Sequence, residues 1–323
     1  MVMILIHHCI AHGLGLTAFE PEFHSTLLIP DSWLPAAMIS NSFCICAVNC
    51  FVLISGYFGI RTSGKKIWYL VFALLFYTVL FAILPAIFRH EYRSALRFSL
   101  FLSHSTYWFV IDYIFLMAFT PMINLAFEKL SHKVNNRFVI ALLIISCYFG
   151  FMFSHVANQN GYTLLQFILM YCIGRIIRRD NFSLSKIQSI SGYVVCSLLA
   201  GLFTIAVWRF APSYTWRTTY YNNPLIIAAA VFLMLFFKDL VIDSPKINSV
   251  AKSAFGIYLF GSAPLLMRIQ KEYLGEVAHL KLGGVLIISV LAISLVVAVF
   301  ALLFDRIRIY LYNVTEKLIN KNQ

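Results

Sequence analysis

The stretch Leu282–Phe304, LGGVLIISVLAISLVVAVFALLF, holds 23 residues without an Asp, Glu, Lys or Arg. At about 1.5 Å per residue a helix of this length exceeds the roughly 30 Å hydrocarbon core of a bilayer. Backbone polar groups in lipid must be satisfied inside the segment or in a closed barrel, and barrel strands are short and alternate in polarity. This run is long and continuous, so it reads as a membrane-crossing helix. Similar runs occur near Met1–His12, Ile39–Ile60, Ile67–Phe88, Tyr107–Phe127, Phe138–His155, Tyr162–Ile177, Gly192–Phe210, Pro224–Phe237 and Ala254–Arg268. The expected fold is an all-α integral membrane protein of about ten transmembrane helices.

The composition agrees. Hydrophobic residues make up 61% of the 323, charged residues 12%, and the mean hydropathy is +0.82. Soluble domains run nearer 45–50% apolar and about 25% charged. A soluble fold, a disordered chain and a small disulfide scaffold are therefore excluded. Short loops leave no stretch for a sizeable soluble domain, so residues 1–323 read as a single membrane domain.

The net charge is +12. No Lys/Arg run interleaved with aromatics stands on a polar segment, so the surplus points to topology and not to nucleic acid. Seventeen of the basic residues fall after the even-numbered runs and at the C-terminus, among them Arg61, Lys65, Lys66, Arg175, Arg178 and Arg179. Eight fall in the alternate loops, including Arg89, Arg93 and Arg97. This bias places both termini in the cytoplasm of a multi-pass protein of the cell membrane. The segment His12–Pro35 has no Lys or Arg and reads as an outward loop. The seven cysteines are odd in number and include no CxxC pair, so neither a zinc site nor a disulfide framework is expected.

Polar residues within spans are costly and mark candidate sites. The first run carries His7, His8 and His12. His8 and His12, four apart, share a helix face, whereas the roughly 100° between neighbours sets His7 apart. A structural histidine, an i,i+4 zinc pair and a general base all fit that face, though no further ligand cluster supports zinc. Asp112 lies in the fourth run, where it pairs with a histidine, binds an acceptor hydroxyl or sits near the outer interface. Asn49, Ser55, Asn124, Gln166 and Asn223 fit interhelical hydrogen bonding. Lys65, Lys66 and Arg175 stand at cytoplasmic helix ends, suited to phospholipid headgroups or to a phosphate-bearing ligand such as a nucleotide or coenzyme A. Arg175 is the best placed, just inside its apolar run.

Several pieces together resemble the acyltransferase 3 family of membrane-bound O-acyltransferases that decorate bacterial exopolysaccharides and O-antigens. They are Ile6-His7-His8 with His12-Gly13; Asn49 through Phe58 followed by Lys65 and Lys66; Tyr107-Trp108-Phe109 with Pro121-Met122-Ile123-Asn124; Tyr221-Asn222-Asn223-Pro224; and Ile247 through Leu259. The resemblance implies transfer of an acyl group, usually acetyl from acetyl-CoA, to a sugar hydroxyl of a cell-surface polysaccharide or its lipid-linked precursor. It implies His8 as the catalytic histidine, with His7 second to it. Ser55, Tyr57, Trp108 and Asp112 would line the acceptor cavity, and Lys65, Lys66 and Arg175 would hold the acyl-CoA, with no metal. The expected partners are membrane lipid, the glycan acceptor and the acyl-CoA donor. Many relatives carry a histidine soon after the Gly-Ile-Tyr-Leu segment; here Phe260 and Gly261 follow.

Two other functions compete. A polysaccharide polymerase or flippase is equally apolar, but a polymerase is expected to have a large late outward loop, and the longest here is early. A small-solute transporter is disfavoured by the missing internal repeat and the few paired intramembrane charges.

The first run spans only about 18 Å at helical rise, about eight to ten residues short of a crossing. The family's arginine, ten residues before its histidine, would precede Met1. The sequence-based expectation is that the natural N-terminus lies upstream.

Overall fold

The computed structural model describes residues 1–19, 27–89, 107–153, 158, 160–240 and 242–321. It is 85% helical, with no strand among the described residues. In chain order the α-helices are α1 (Val2–His8), α2 (Leu34–Ile45), α3 (Ala47–Phe58), α4 (Gly64–Arg89), α5 (Trp108–Lys129), α6 (His132–Leu143), α7 (Leu164–Arg179), α8 (Lys186–Phe210), α9 (Pro224–Lys238), α10 (Pro245–Lys252), α11 (Ala254–Gly261), α12 (Pro264–His279) and α13 (Gly283–Lys321). π-Helical turns extend α1 through Cys9–Gly13 and α6 through Ile144–Met152.

Seven stretches among the described residues are long and apolar enough to cross a membrane: Asp31–Phe58, Gly64–Leu84, Trp108–Lys129, His132–Met152, Lys186–Phe210, Pro212–Lys238 and Gly283–Ile319. Each overlaps one of the ten runs read from the sequence, with ends displaced by one to several residues. The protein is thus a multi-pass membrane protein. On α13, Ile287, Ile288 and Leu295 are 65%, 68% and 67% exposed, an apolar face suited to lipid and not to water. The other three runs are helical but shorter: Val2–Gly13, the 16-residue α7, and the run at Ala254–Arg268.

That last run is corrected by the structure. Pro264 has no N–H to continue a helix and instead starts one, so α11 ends at Gly261 and α12 begins at Pro264. α8 starts six residues ahead of the expected Gly192. Ser185 Oγ accepts from Gln188 N at 3.2 Å, and Gln188 Oε1 accepts from Ser185 N at 3.0 Å. This capping box builds a polar first turn that hydropathy does not register. α13 likewise runs on past Phe304 to Lys321. Arg93, Arg97 and the middle of the His12–Pro35 segment lie outside the described residues.

The chain divides into two compact units, each assembled from separate stretches. The first joins Met1–Leu14, Ser63–Ile111 and Asp243–Gln323. Here α1, α4, α11 and α12 all contact α13. Phe260 stacks on Phe304 with centroids 5.4 Å apart and meets Phe81 at 5.2 Å. Below that layer, Asp305 and Arg308 are fully buried; Arg308 Nε donates to Asp305 Oδ1 at 2.6 Å, and Tyr77 Oη donates to the same oxygen at 3.1 Å.

The second unit joins Gly15–Thr62 and Asp112–Ile242. α3 and α7 cross at two glycines: a Cβ at Gly56 would overlap the Tyr171 carbonyl, and one at Gly174 the Leu53 carbonyl. Buried amides tie the neighbouring helices. Asn49 Nδ2 and Gln166 Nε2 both donate to Tyr221 O, at 2.9 and 3.0 Å. Asn223 Oδ1 caps α9 by accepting from Leu225 N at 3.0 Å. Asn49, Gln166 and Asn223 are thus spent on helix connection.

Candidate active site

The histidine segment lies in the first unit. His7 is buried and His8 is partly exposed. Their ring centroids are 5.8 Å apart, and those of His8 and His12 are 5.6 Å apart. His8 therefore neighbours both rings. The segment crosses from α to π geometry at Cys9, where Leu14 N reaches back five residues to Cys9 O at 2.9 Å. Such single π turns recur at functional sites.

Two elements hold this segment. On one side Cys9 Sγ lies 3.5 Å from Ser294 Oγ of α13. On the other, His8 Nδ1 lies 3.4 Å from the carbonyl oxygen of Gly261, at the end of α11. A carbonyl oxygen only accepts, so Nδ1 carries the hydrogen in this long hydrogen bond. In the neutral ring the lone pair then sits on Nε2, the atom a general base uses. A Cβ at Gly261 would overlap Leu5 Cδ2, so the absence of a side chain permits the approach of α11 to α1.

Trp108 and the pair Lys65 and Lys66 also belong to the first unit. Trp108 opens α5, partly exposed, with its ring 6.0 Å from that of Phe109. Lys65 Nζ is 3.2 Å from Glu316 on α13, an exposed pair. Lys66 caps into Ser63 through its backbone, N to Oγ 3.4 Å.

Ser55, Tyr57, Asp112 and Arg175 belong to the second unit. Ser55 Oγ donates to Phe51 O at 3.0 Å and lies 2.9 Å from Tyr113 Oη, which must then donate to it. Tyr57 is engaged by Arg178, whose Nη1 donates to its hydroxyl at 3.2 Å while the guanidinium carbon sits 5.3 Å from its ring. Asp112 is half-buried and forms no ion pair among the described residues, so the histidine pairing is not found. Arg175 lies against Gly59, the left-handed residue (φ +75°) that ends α3; a Cβ there would come 3.0 Å from Arg175 Nη1. Its Nε is buried with no hydrogen-bond partner. Asn124 and Tyr171 bracket Ile60: Tyr171 Oη accepts from Ile60 N at 3.0 Å and donates to Asn124 Oδ1 at 2.8 Å, while Asn124 Nδ2 donates to Ile60 O at 3.1 Å.

Compared with known protein families, residues 1–304 match the acyltransferase 3 model, described as an acyltransferase domain. The chain belongs to the acyltransferase 3 family. Searches of curated proteins and of solved structures return no match. The acyltransferase match runs through both compact units, so neither alone accounts for it.

The acyltransferase has no group of three or more His, Cys, Asp or Glu placed to hold a metal among its described residues. All seven cysteines are free. Sequence reasoning did not resolve the π turn, nor helix α12, whose buried face packs on that turn. α12 was concealed because Arg268, Lys271, Glu272 and Glu276 make its sequence look like a charged loop. Its signals were Pro264 at the first position and the spacing of Gln270, Leu274, Val277 and Ala278.

Proposed function

We propose that this acyltransferase moves an acyl group, usually acetyl, from acyl-CoA to a hydroxyl of a cell-surface polysaccharide or its lipid-linked precursor. It crosses the inner membrane about ten times with both termini in the cytoplasm, as a single functional domain. The observation that carries the reading is the contact of His8 Nδ1 with the Gly261 carbonyl at 3.4 Å, which leaves Nε2 free to accept a proton. His8 Nε2 removes the proton of the acceptor hydroxyl as its oxygen attacks the thioester carbon. The C–O bond forms, the C–S bond breaks, and the imidazolium returns its proton to the coenzyme A thiolate. His7 stays buried beside His8 and supports its position.

Arg175 is the best-fitting group for the donor phosphates, since its buried Nε lacks a partner. Lys66 and Lys65 add positive charge at the cytoplasmic face. Ser55, Tyr57 and Asp112 of the second unit, and Trp108 of the first, are the residues we assign to acceptor binding.

The test is ester analysis of surface glycans from a deletion strain, complemented with wild-type or His8→Ala protein. The reading expects an ester-linked acyl group that disappears on deletion and returns only with the wild-type protein. An unchanged ester content in the deletion strain would overturn it.

A further inference from the structure

Gln270 is 3% exposed, yet neither its Nε2 nor its Oε1 has a hydrogen-bond partner. It shares the buried face of α12 with Leu274, Val277 and Ala278, and that face packs on the π turn Cys9–Gly13. The Gln270 Cβ lies 3.9 Å from where a Cβ on Gly13 would stand, next in sequence to His12. At the other end of the histidine segment, Ser262 follows the Gly261 that accepts from His8. Ser262 is also 3% exposed, and its Oγ is also without a partner. The α11–α12 corner thus brackets the histidines with two buried, unsatisfied polar side chains.

Leaving both ends of a buried carboxamide unpaired is costly, and an apolar residue would fill the same face without that cost. We infer that Gln270 is an acceptor-binding residue of the His8 site and takes a vicinal pair of hydroxyls on the acceptor sugar. The inference rests on the reading of His8 as the base.

The chemistry selects this ligand. A carboxamide offers two donors and one acceptor oxygen. A thioester carbonyl would satisfy only Nε2, and phosphate oxygens would leave Oε1 facing negative charge. Adjacent sugar hydroxyls each donate and accept, so one can bind Oε1 and the other Nε2. In the proposed orientation Gly13 is at the outward end of the first helix, opposite the cytoplasmic source of acyl-CoA.

The test uses the full-length protein in detergent, acetyl-CoA as donor, and the surface polysaccharide of the source strain freed of esters by mild alkali as acceptor. Gln270→Leu, Gln270→Ala and His8→Ala are compared with wild type. Leu removes the unpaired groups while keeping the face filled, so its melting temperature should equal or exceed that of wild type. The expected result is a KM for the glycan raised about tenfold in both Gln270 variants, with the KM for acetyl-CoA unchanged. An unchanged glycan KM in a folded Gln270→Leu protein overturns the inference. If His8→Ala is inactive and Gln270→Leu has a normal glycan KM, the subsite alone fails. If His8→Ala is fully active while Gln270→Leu raises the glycan KM, the role of His8 fails and the subsite stands. A wild-type protein that this glycan does not saturate overturns both.

Discussion

His8 Nδ1 and the Gly261 carbonyl oxygen, 253 positions apart in the chain, meet at 3.4 Å where α11 approaches α1. The backbone, not a carboxylate, orients the imidazole. A methyl group at Gly261 would collide with the tip of the Leu5 side chain, which is 1% exposed and would have to shift within the packed core to admit it. Gly261→Ala should destabilise the fold by about 1–3 kcal/mol and slow transfer. Adding Leu5→Ala should reopen the space and recover part of the rate. Both quantities are read from melting curves in detergent and from transfer of labelled acetyl groups. A single variant with wild-type rate and melting temperature would show that the close approach is not required.

Charge removal at Arg175, Lys65 and Lys66 together should raise the apparent KM for acyl-CoA with little change in kcat, as expected for a contact made equally in ground and transition states. The single variants should differ. Lys65 is already paired with Glu316 at an exposed position, so Lys65→Gln should contribute least. Arg175→Gln should carry most of the effect. Initial rates over a range of acetyl-CoA concentrations measure this, and an unchanged KM in the triple variant would return these residues to membrane topology.

Much of the fold was legible because hydropathy reports what lipid demands. Seven of the ten runs overlap stretches able to cross. Polar side chains inside an apolar run were enough to mark the histidine segment as a candidate. The rest depended on contacts between distant residues. Nothing local to His8 announces Gly261. The π turn at Cys9–Gly13 follows from packing against α12 and α13, which no periodicity encodes. The break at Pro264 was readable from proline chemistry but was obscured by the apolar residues on either side. Asp112 stood out as a carboxylate within an apolar run, yet it forms no ion pair among the described residues. The buried carboxylate of this kind is Asp305, three residues before the Tyr69-bound Arg308 and just past the apolar run that flagged the last helix.

The Asp305–Arg308 pair should be a stability determinant. Both side chains are fully buried, and Arg308 Nη2 also donates to Tyr69 Oη at 2.6 Å. Asp305→Ala leaves the guanidinium without its counter-charge, a loss of about 3–5 kcal/mol for a buried pair. Replacing both partners, as in Asp305→Leu with Arg308→Met, should cost much less, because no uncompensated charge remains. Detergent-melting curves for the single and double variants separate the two outcomes. Equal losses would mean that the pair is not coupled.

In the proposed mechanism His8 Nε2 is the base that activates the acceptor hydroxyl. The most direct test is the rate at which purified His8→Ala protein transfers labelled acetyl groups from acetyl-CoA to de-esterified glycan, alongside its membrane insertion and melting temperature. General-base catalysis contributes about 10²–10⁴-fold. The expected rate is reduced by that factor in a protein that inserts and melts like wild type. A variant that transfers at the wild-type rate would contradict it and make His8 a structural residue of the first helix.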